Sequence, residues 1–365
     1  MRQRRALLAT AHFAHVAGSE LVLLEAAEAL AARGFACEIL SCLAEGPMAA
    51  LAAAAGVPLR HGPAAIRAFD YDLLWLQHRF ETLFDYRPEP EARERSLFVF
   101  AHLDRSWDFA QPGVLAEPFL ADAILVPSEE GEAQVIAAGL PAEKVMVFRN
   151  AAPPGFARPA GAPRRALRRL LVVSNHAPPE VLAALPLLRA AGLEVVHWGL
   201  GGEVVGQRLT AADLDAADAV LSIGKTVPYA LRARLPAFVY DHFGGPGWLD
   251  ARTLHSAARH HFSGRCCARP LAPEALAAEL LEGFPAAAAF AAALPEAALA
   301  PFALERVMDA LLAGLETAPT AEARRAGLAA LEPQLSAERH LAAAAAHYYS
   351  EWLWQRRLIA ASAPG

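Results

Sequence analysis

Two neighbouring stretches carry the fold: Ser222-Ile-Gly-Lys-Thr-Val-Pro-Tyr-Ala-Leu231 and Pro236-Ala-Phe-Val-Tyr-Asp-His-Phe-Gly-Gly-Pro-Gly-Trp248. The apolar runs Ala219 to Ile223 and Ala237 to Tyr240 are short and bounded by turn residues, so both read as buried strands. Gly224-Lys225-Thr226 and Asp241-His242-Phe243-Gly244-Gly245 then stand where those strands leave the sheet. In an open α/β sheet that edge is where ligands bind. Lys225, with Thr226 as the N-cap of a helix running through Tyr229 and Leu231, brings charge and oriented N–H groups together, the make-up of a phosphate cradle. The spacing G-x-x-x-x-G-K is absent, so this is not a P-loop. Gly244, Gly245 and Gly247 lack the G-x-G-x-x-G order, yet a glycine-rich turn admits a pyrophosphate against its N–H groups. Asp241 and His242 are placed to hold sugar hydroxyls, or else to cap the turn that ends the strand. Arg265, in a later loop, is a candidate for bidentate phosphate contact.

Outward from this pair, short apolar runs alternate with helical segments along most of the chain, the rhythm of βα units wound into parallel sheets. Before residue 150 the runs are Ala6 to Thr10, Ala36 to Ser41, Asp72 to Gln77, Leu97 to Ala101, Ala123 to Pro127 and Val145 to Phe148. The segment Ser19 to Arg33 has the clearest 3.6-residue period, with Ser19 or Gly18 as N-cap. A Pro- and Gly-rich stretch comes next, and the rhythm restarts with Leu170 to Ser174 and Glu194 to Trp198. The expected domains are residues 1–155, a linker 156–168, a second domain 169–316 and a helical extension 317–365. In the extension Tyr348, Tyr349, Trp352 and Trp354 cluster beside Arg356 and Arg357. That pattern fits a helix docked across both domains or a peripheral membrane contact.

The chain has 365 residues, 55% hydrophobic, with 33 basic against 39 acidic residues and a formal charge of −6. There is no global basic field to hold nucleic acid, which is not an expected partner. The alanine-rich tracts are broken by Glu, Arg or Pro before they reach about 18 residues, so no membrane span is expected. Met1-Arg-Gln-Arg-Arg has the outline of a signal peptide, but its apolar run is short and is interrupted by His12 and His15, which favours a first buried strand. Cys37, Cys42, Cys266 and Cys267 form no C-x-x-C pair and no zinc spacing, pointing to reduced thiols in a cytoplasm and to no metal.

In the first half the loop Thr10 to Glu20 joins a strand to a helix. Gly18 and Ser19 would let an anion approach the helix start, and His12 or His15 has the right chemistry for a general base. His102 closes a buried strand and is followed by Asp104 and Arg105, a polar cluster at the exit edge. Asn150 and Asn175-His176 end strands on either side of the linker, where they would face a cleft.

These residues resemble a known family. Gly18-Ser-Glu20, the Ala/Leu-rich helix and Arg33-Gly-Phe-Ala-Cys-Glu-Ile look like the opening of GT-B glycosyltransferases, where a G-G-x-E loop precedes a helix ending in G-H-E-V. Ile124-Leu-Val-Pro-Ser128 through Gly139-Leu-Pro-Ala-Glu-Lys-Val-Met-Val-Phe-Arg-Asn150 looks like that family's S…G…K-I-x-V-I-P-N-G run. The resemblance covers about the first 310 residues in order and rhythm. It implies two Rossmann-like domains facing each other across a cleft, a nucleotide-sugar donor held mainly by the second domain, an acceptor on the first and a C-terminal helix that crosses back. It further implies no metal and no cofactor beyond the donor, and makes His102 the strand-end histidine near the donor sugar.

The family's E-x(7)-E pair is missing: Tyr229 stands at the second glutamate and the first falls near Leu221. The Ile223-Gly-Lys-Thr, Tyr240-Asp-His-Phe-Gly-Gly-Pro-Gly and Phe262-Ser-Gly-Arg265 blocks, with Ser174-Asn-His176, resemble a smaller bacterial branch. The expectation is therefore a metal-independent glycosyltransferase acting in glycan or cell-surface polymer synthesis, in the cytoplasm or at the inner face of the membrane. A GT-B protein that binds without turnover and a nucleotide-sugar epimerase are the alternatives.

Overall fold

The computed structural model describes residues 2–61, 66–87, 89–104, 110–113 and 115–329, and then 336, 338–340, 342–344, 347, 348 and 351. In the first half, β1 (Arg4–Phe13), α1 (Gly18–Ala31), β2 (Phe35–Ala44), α2 (Gly46–Ala54), β3 (Leu59–His61), β4 (Leu73–Leu76) and β5 (Leu97–Ala101) precede α3 (Ala116–Leu120), β6 (Ala123–Val126), α4 (Glu129–Ala137) and β7 (Val145–Val147). The second half has β8 (Arg169–Val173), α5 (Pro179–Ala190), β9 (Glu194–Trp198), α6 (Ala211–Asp215), β10 (Ala219–Ser222), α7 (Thr226–Arg232), β11 (Ala237–Asp241) and β12 (Gly244–Trp248). The helices α8 (Leu254–Arg259), α9 (Pro273–Ala293), α10 (Glu296–Leu299) and α11 (Leu304–Leu312) come after them.

The first sheet is all parallel, in the order β3-β2-β1-β4-β5-β6-β7. The second has the order β12-β11-β10-β8-β9, parallel except for β12. Because both faces of a parallel sheet are covered, its central strands are apolar throughout rather than alternating. Along β1, Ala6 and Leu8 turn to one core with Trp75 and α1, while Leu7 and Ala9 turn to the other with Leu74 and Phe98. The short strand β3, too brief to leave an apolar run, was not expected.

Three local expectations are corrected. Ala17 occupies the N-cap of α1 without a side-chain bond, while the Ser19 hydroxyl donates to Glu20 instead. Likewise Lys225, not Thr226, holds the N-cap position of α7. The Gly244-Gly-Pro-Gly stretch is not a loop but the antiparallel edge strand β12. Its glycines serve packing: a Cβ on Gly245 would stand 2.0 Å from the Val239 carbonyl oxygen, and one on Gly244 2.1 Å from the Arg269 backbone. Pro246 is tolerated because an edge strand has one unpaired side.

The chain crosses between domains twice, and the crossings touch: Ala152 N–H donates to Phe302 O and Leu304 N–H to Ala152 O, at 2.8 and 2.9 Å. From there α11 returns to the first domain, where Leu304, Met308, Leu311 and Ala318 join the core beneath β1. The second domain thus ends near residue 303, earlier than the expected 316, because the hydrophobic face of α11 is matched to the first sheet. Arg324, in the helix over residues 321–329, is buried over the Phe98 ring, donates to Leu120 O and Ser96 O and pairs with Asp122. Tyr348 is 71% exposed, and Tyr349, Trp352, Trp354, Arg356 and Arg357 lie outside the described residues. By length and composition α9 could cross a bilayer, but Leu276, Leu280 and Phe284 pack it into the second core.

Candidate functional site

The C-terminal edges of the two sheets face each other across a cavity of about 490 Å³. This is within the range of small-ligand sites. The first domain contributes Val16, Gly18 and Ser19 from the loop into α1, Asp104 from the exit of β5, and Asn150. The second contributes Asn175 and His176 after β8, Gly224 to Thr226 and Tyr229 after β10, Asp241 and His242 at the end of β11, and His261. Of the residues singled out in the sequence, Gly18, Ser19, Asp104, Asn150, Asn175, His176, Gly224, Lys225, Thr226, Tyr229, Asp241 and His242 are brought together here. His12, His15, His102, Gly244, Gly245, Gly247 and Arg265 are not among the residues lining it.

Both expected phosphate-binding cations are committed elsewhere. The Lys225 ammonium is buried, ion-paired with Glu25 of α1 at 2.5 Å, and donates to Asn150 O and Ala151 O at 3.2 and 3.0 Å. Burial holds its pKa below the ordinary lysine value although Glu25 pulls the other way. Tyr229 donates to the same Glu25 carboxylate and stacks on Phe156 with ring centroids 4.2 Å apart. Arg208 closes the cluster through Glu25 and Glu28, at 3.3 and 2.6 Å. Lys225 therefore joins the two domains rather than gripping a ligand. Arg265 is spent on Glu130 of α4, at 2.9 Å. Among the described residues lining the cavity Lys225 is the only lysine or arginine.

The histidines expected to act near the sugar are also displaced. His102 turns away from the cleft: its Nε2 meets Glu117 at 2.5 Å and its Nδ1 lies 2.9 Å from Ala110 O. Burial pushes this imidazole down, but the Glu117 hydrogen bond and charge outweigh it and raise its pKa. Arg105, close to it in sequence, lies outside the described residues. Asp104, two residues on, is the one that lines the cleft. His12 pairs with the buried Glu20 at 3.1 Å, and His15 is exposed. Asp241 accepts from Phe243 N–H and the Ser263 hydroxyl at 2.8 and 2.6 Å, so its carboxylate caps the turn before β12.

Asn175 does span the cleft, donating to Val16 O of the first domain at 3.0 Å while Leu200 N–H donates to its Oδ1 at 3.2 Å. The residue that sequence reasoning missed is His261. It meets Asn150 from the other domain, with Nε2 3.2 Å from the Asn150 amide nitrogen. Burial, then the charges of Arg265 and Lys225, lower its pKa to about 4, so the ring is neutral at neutral pH. Its Nδ1 and the Asn150 Oδ1 are buried without hydrogen-bond partners, and buried polar atoms left unmatched are uncommon. Both residues also hold positive φ, +46° for Asn150 and +56° for His261, although neither is glycine. Backbone strain of that kind clusters at ligand sites. A signal was present, since His261 immediately precedes the Phe262-Ser-Gly-Arg265 block. Among the described residues no group of three or more His, Cys, Asp or Glu side chains could hold a metal.

No protein-family model matches this chain, and no curated protein matches it in sequence. Solved structures do. HepE of Anabaena, in its complex with UDP-glucose, superposes with a TM-score of 0.54 at 14% identity, over 86% of this chain and 99% of that one. The fold is GT-B. WaaG, a glycosyltransferase of lipopolysaccharide biosynthesis, also matches, with a TM-score of 0.46 at 11% identity over 78% of this chain and 93% of that one. Within the GT-B frame the cleft just described is the groove between the two Rossmann-like domains, and the return of α11 to the first domain fits the crossing that the resemblance implied.

Proposed function

We propose that this chain is a glycosyltransferase that takes a nucleoside-diphosphate sugar in the interdomain cleft and transfers the sugar to an acceptor hydroxyl presented by the first domain, in assembly of a glycan or cell-surface polymer. The observation that carries this reading is the cavity at the facing exit edges of two parallel sheets, where Asn150 and His261 each leave a buried polar atom open. The likeness in fold to HepE, which is known with UDP-glucose, supports it. In this reading the start of α1 and the cleft N–H groups, rather than Lys225 or Arg265, meet the diphosphate. Asn150, His261 and Asn175 hold hydroxyls, and Asp104 stands on the acceptor side as the carboxylate that takes the proton. The reaction needs no resident cofactor or metal.

A second reading, binding without turnover, is favoured by a specific observation: Lys225 and Arg265, the cations expected at the diphosphate, are both neutralised by carboxylates. The two are separated by thermal shift and turnover with UDP-, GDP- and dTDP-sugars. A ligand that binds only the folded state raises the melting midpoint with occupancy. A shift with one donor, together with release of its nucleotide that Asp104→Asn abolishes, supports the transferase. A shift without release under any acceptor supports the binding protein, and no shift with any donor overturns both.

A further inference from the structure

Cys266 and Cys267 are neighbours in the chain, and both are free thiols. Successive side chains of a helix or strand point apart, but here an irregular turn brings them together. Cys266 ends the 3-10 turn Gly264–Cys266, and Cys267 leaves it at φ −146° and ψ −15°. The Cys266 thiol is hydrogen-bonded to the Cys267 sulfur. Donors of this turn also converge on one carbonyl: Cys267 N–H and Ala268 N–H donate to Gly264 O at 3.1 and 2.8 Å, and the Cys267 Sγ lies 3.8 Å from the same oxygen. A carbonyl oxygen has two lone pairs and a thiol is a weak donor, so little holds the Cys267 sulfur there once the two N–H groups are in place. The turn itself is fixed. A Cβ on Gly264 would stand 2.0 Å from Gly244 O, the Ser263 hydroxyl donates to Asp241, Arg265 is paired with Glu130 of the first domain, and Ala268 holds φ +47° although it is not glycine.

The two thiols differ in access. Cys267 is exposed, whereas Cys266 is half-buried against the core that contains Tyr229 and Phe262. Burial, then the hydrogen bond to Cys267, push the Cys266 thiol up. Cys267 is thus the sulfur that a dissolved reagent meets first, while Cys266 stays a thiol beside it. The other cysteines have no such arrangement: Cys37 is buried and donates to Ala27 O at 3.4 Å, and Cys42 packs against the opposite face of the first sheet. We propose that Cys266 and Cys267 act as one reactive dithiol, a modification site for low-molecular-weight disulfides. The Cys267 thiolate attacks one sulfur of the incoming disulfide, forms a mixed disulfide and expels one thiolate. Cys266 loses its proton, attacks the Cys267 sulfur and expels the second thiolate, which closes a Cys266–Cys267 disulfide. The two cysteines lose two electrons, the incoming disulfide gains them, and both protons end on the released thiols. Consecutive Cα atoms are about 3.8 Å apart, less than the usual disulfide span of roughly 4.4–6.8 Å, so the closed ring is strained and readily reduced. The modification is therefore reversible rather than structural. Neither cysteine lines the cleft, and the site does not rest on the activity proposed there.

The test exposes the full chain at neutral pH to excess glutathione disulfide, blocks the remaining thiols with iodoacetamide in denaturant and weighs the tryptic peptides. Cleavage after Arg265 places Cys266 and Cys267 on a peptide that contains neither Cys37 nor Cys42. In wild type that peptide is expected to lose two hydrogens and both alkylation sites, and to recover them with dithiothreitol. Cys266→Ala, which keeps an apolar side chain against the core, should instead accumulate a glutathione adduct on Cys267. Cys267→Ser, at an exposed position, should leave Cys266 open to alkylation. Phenylarsine oxide tests the spacing without an oxidant, since it binds two thiols and releases its oxygen as water. Wild type should take up one equivalent on this peptide, and either variant should bind roughly 100-fold more weakly. Full alkylation of both cysteines in wild type, a glutathione adduct on Cys267 as abundant there as in Cys266→Ala, oxidation of Cys42 to the same extent, a disulfide only between two chains, or equal arsenical binding by wild type and either variant overturns the proposal.

Discussion

Glu25 and Lys225 have the roles that their burial and partners impose. A buried lysine is stable as a cation only when paired and hydrogen-bonded, and removing one partner of such a pair leaves an uncompensated charge. Glu25→Ala is therefore expected to cost about 3–5 kcal/mol in urea unfolding, while Glu25→Leu with Lys225→Met should recover much of that loss. An unchanged midpoint in Glu25→Ala would show that the cluster does not hold the domains together. Histidine burial gives a pH signature. His78 and His261 have pKa values lowered to about 3 and about 4, in both cases chiefly by burial. An unfolded histidine protonates near pH ~6.5, so their contribution is complete above that value and is lost as pH falls towards the folded values. The melting midpoint should fall between about pH 6.5 and 4, and His78→Asn should shrink that slope. His102 has the opposite sign: its pKa is raised in the fold, so its contribution is present at low pH and fades as pH rises through the folded value.

At the scale of elements, β12 shows where glycine was read for the wrong reason. A Gly-Gly-Pro-Gly run fits an anion loop and a close-packed edge strand equally well by composition, and only the distance to Val239 O and the Arg269 backbone separates them. Gly245→Ala drives a methyl into backbone that cannot swing aside, and the expected cost is roughly 1–3 kcal/mol. Gly247→Ala meets the side chain of Glu279 instead but sits at φ +78°, so strain rather than overlap would dominate there. Circular dichroism melts of the two variants test this, and a Gly245→Ala midpoint equal to wild type would contradict it. The strands and α1 were legible because their apolar periods are set locally. The three-residue β3 was not, since so short an element leaves no period to read.

At the scale of the whole molecule, the cleft is held by contacts between residues far apart in sequence. Glu25 meets Lys225 and Tyr229, Glu130 meets Arg265, and Val16 meets Asn175. Arg265→Glu should loosen the α4 side of the cleft and Glu130→Arg should restore it in the double variant. Because this pair is part-exposed, the coupling should be about 1 kcal/mol or less in a double-mutant cycle, and smaller at high salt. A coupling of zero at low salt would mean that the pair closes nothing.

Local sequence is enough for the parallel strands of both sheets except the short β3, for the exit loops and hence for the place of the cleft, because strand and helix periods follow from neighbouring residues and chain direction puts the loops on one edge. Gly18, Ser19, Asn150, Asn175, His176, Gly224, Lys225, Thr226, Tyr229, Asp241 and His242 line it for that reason. Only the tertiary structure decided which of their polar groups remain open to a ligand. Lys225 and Arg265 are used by carboxylates of the first domain, His102 by Glu117, and His261 is turned inward to Asn150. Each of these outcomes depends on a partner or a depth of burial that arises on folding, and no local pattern encodes it.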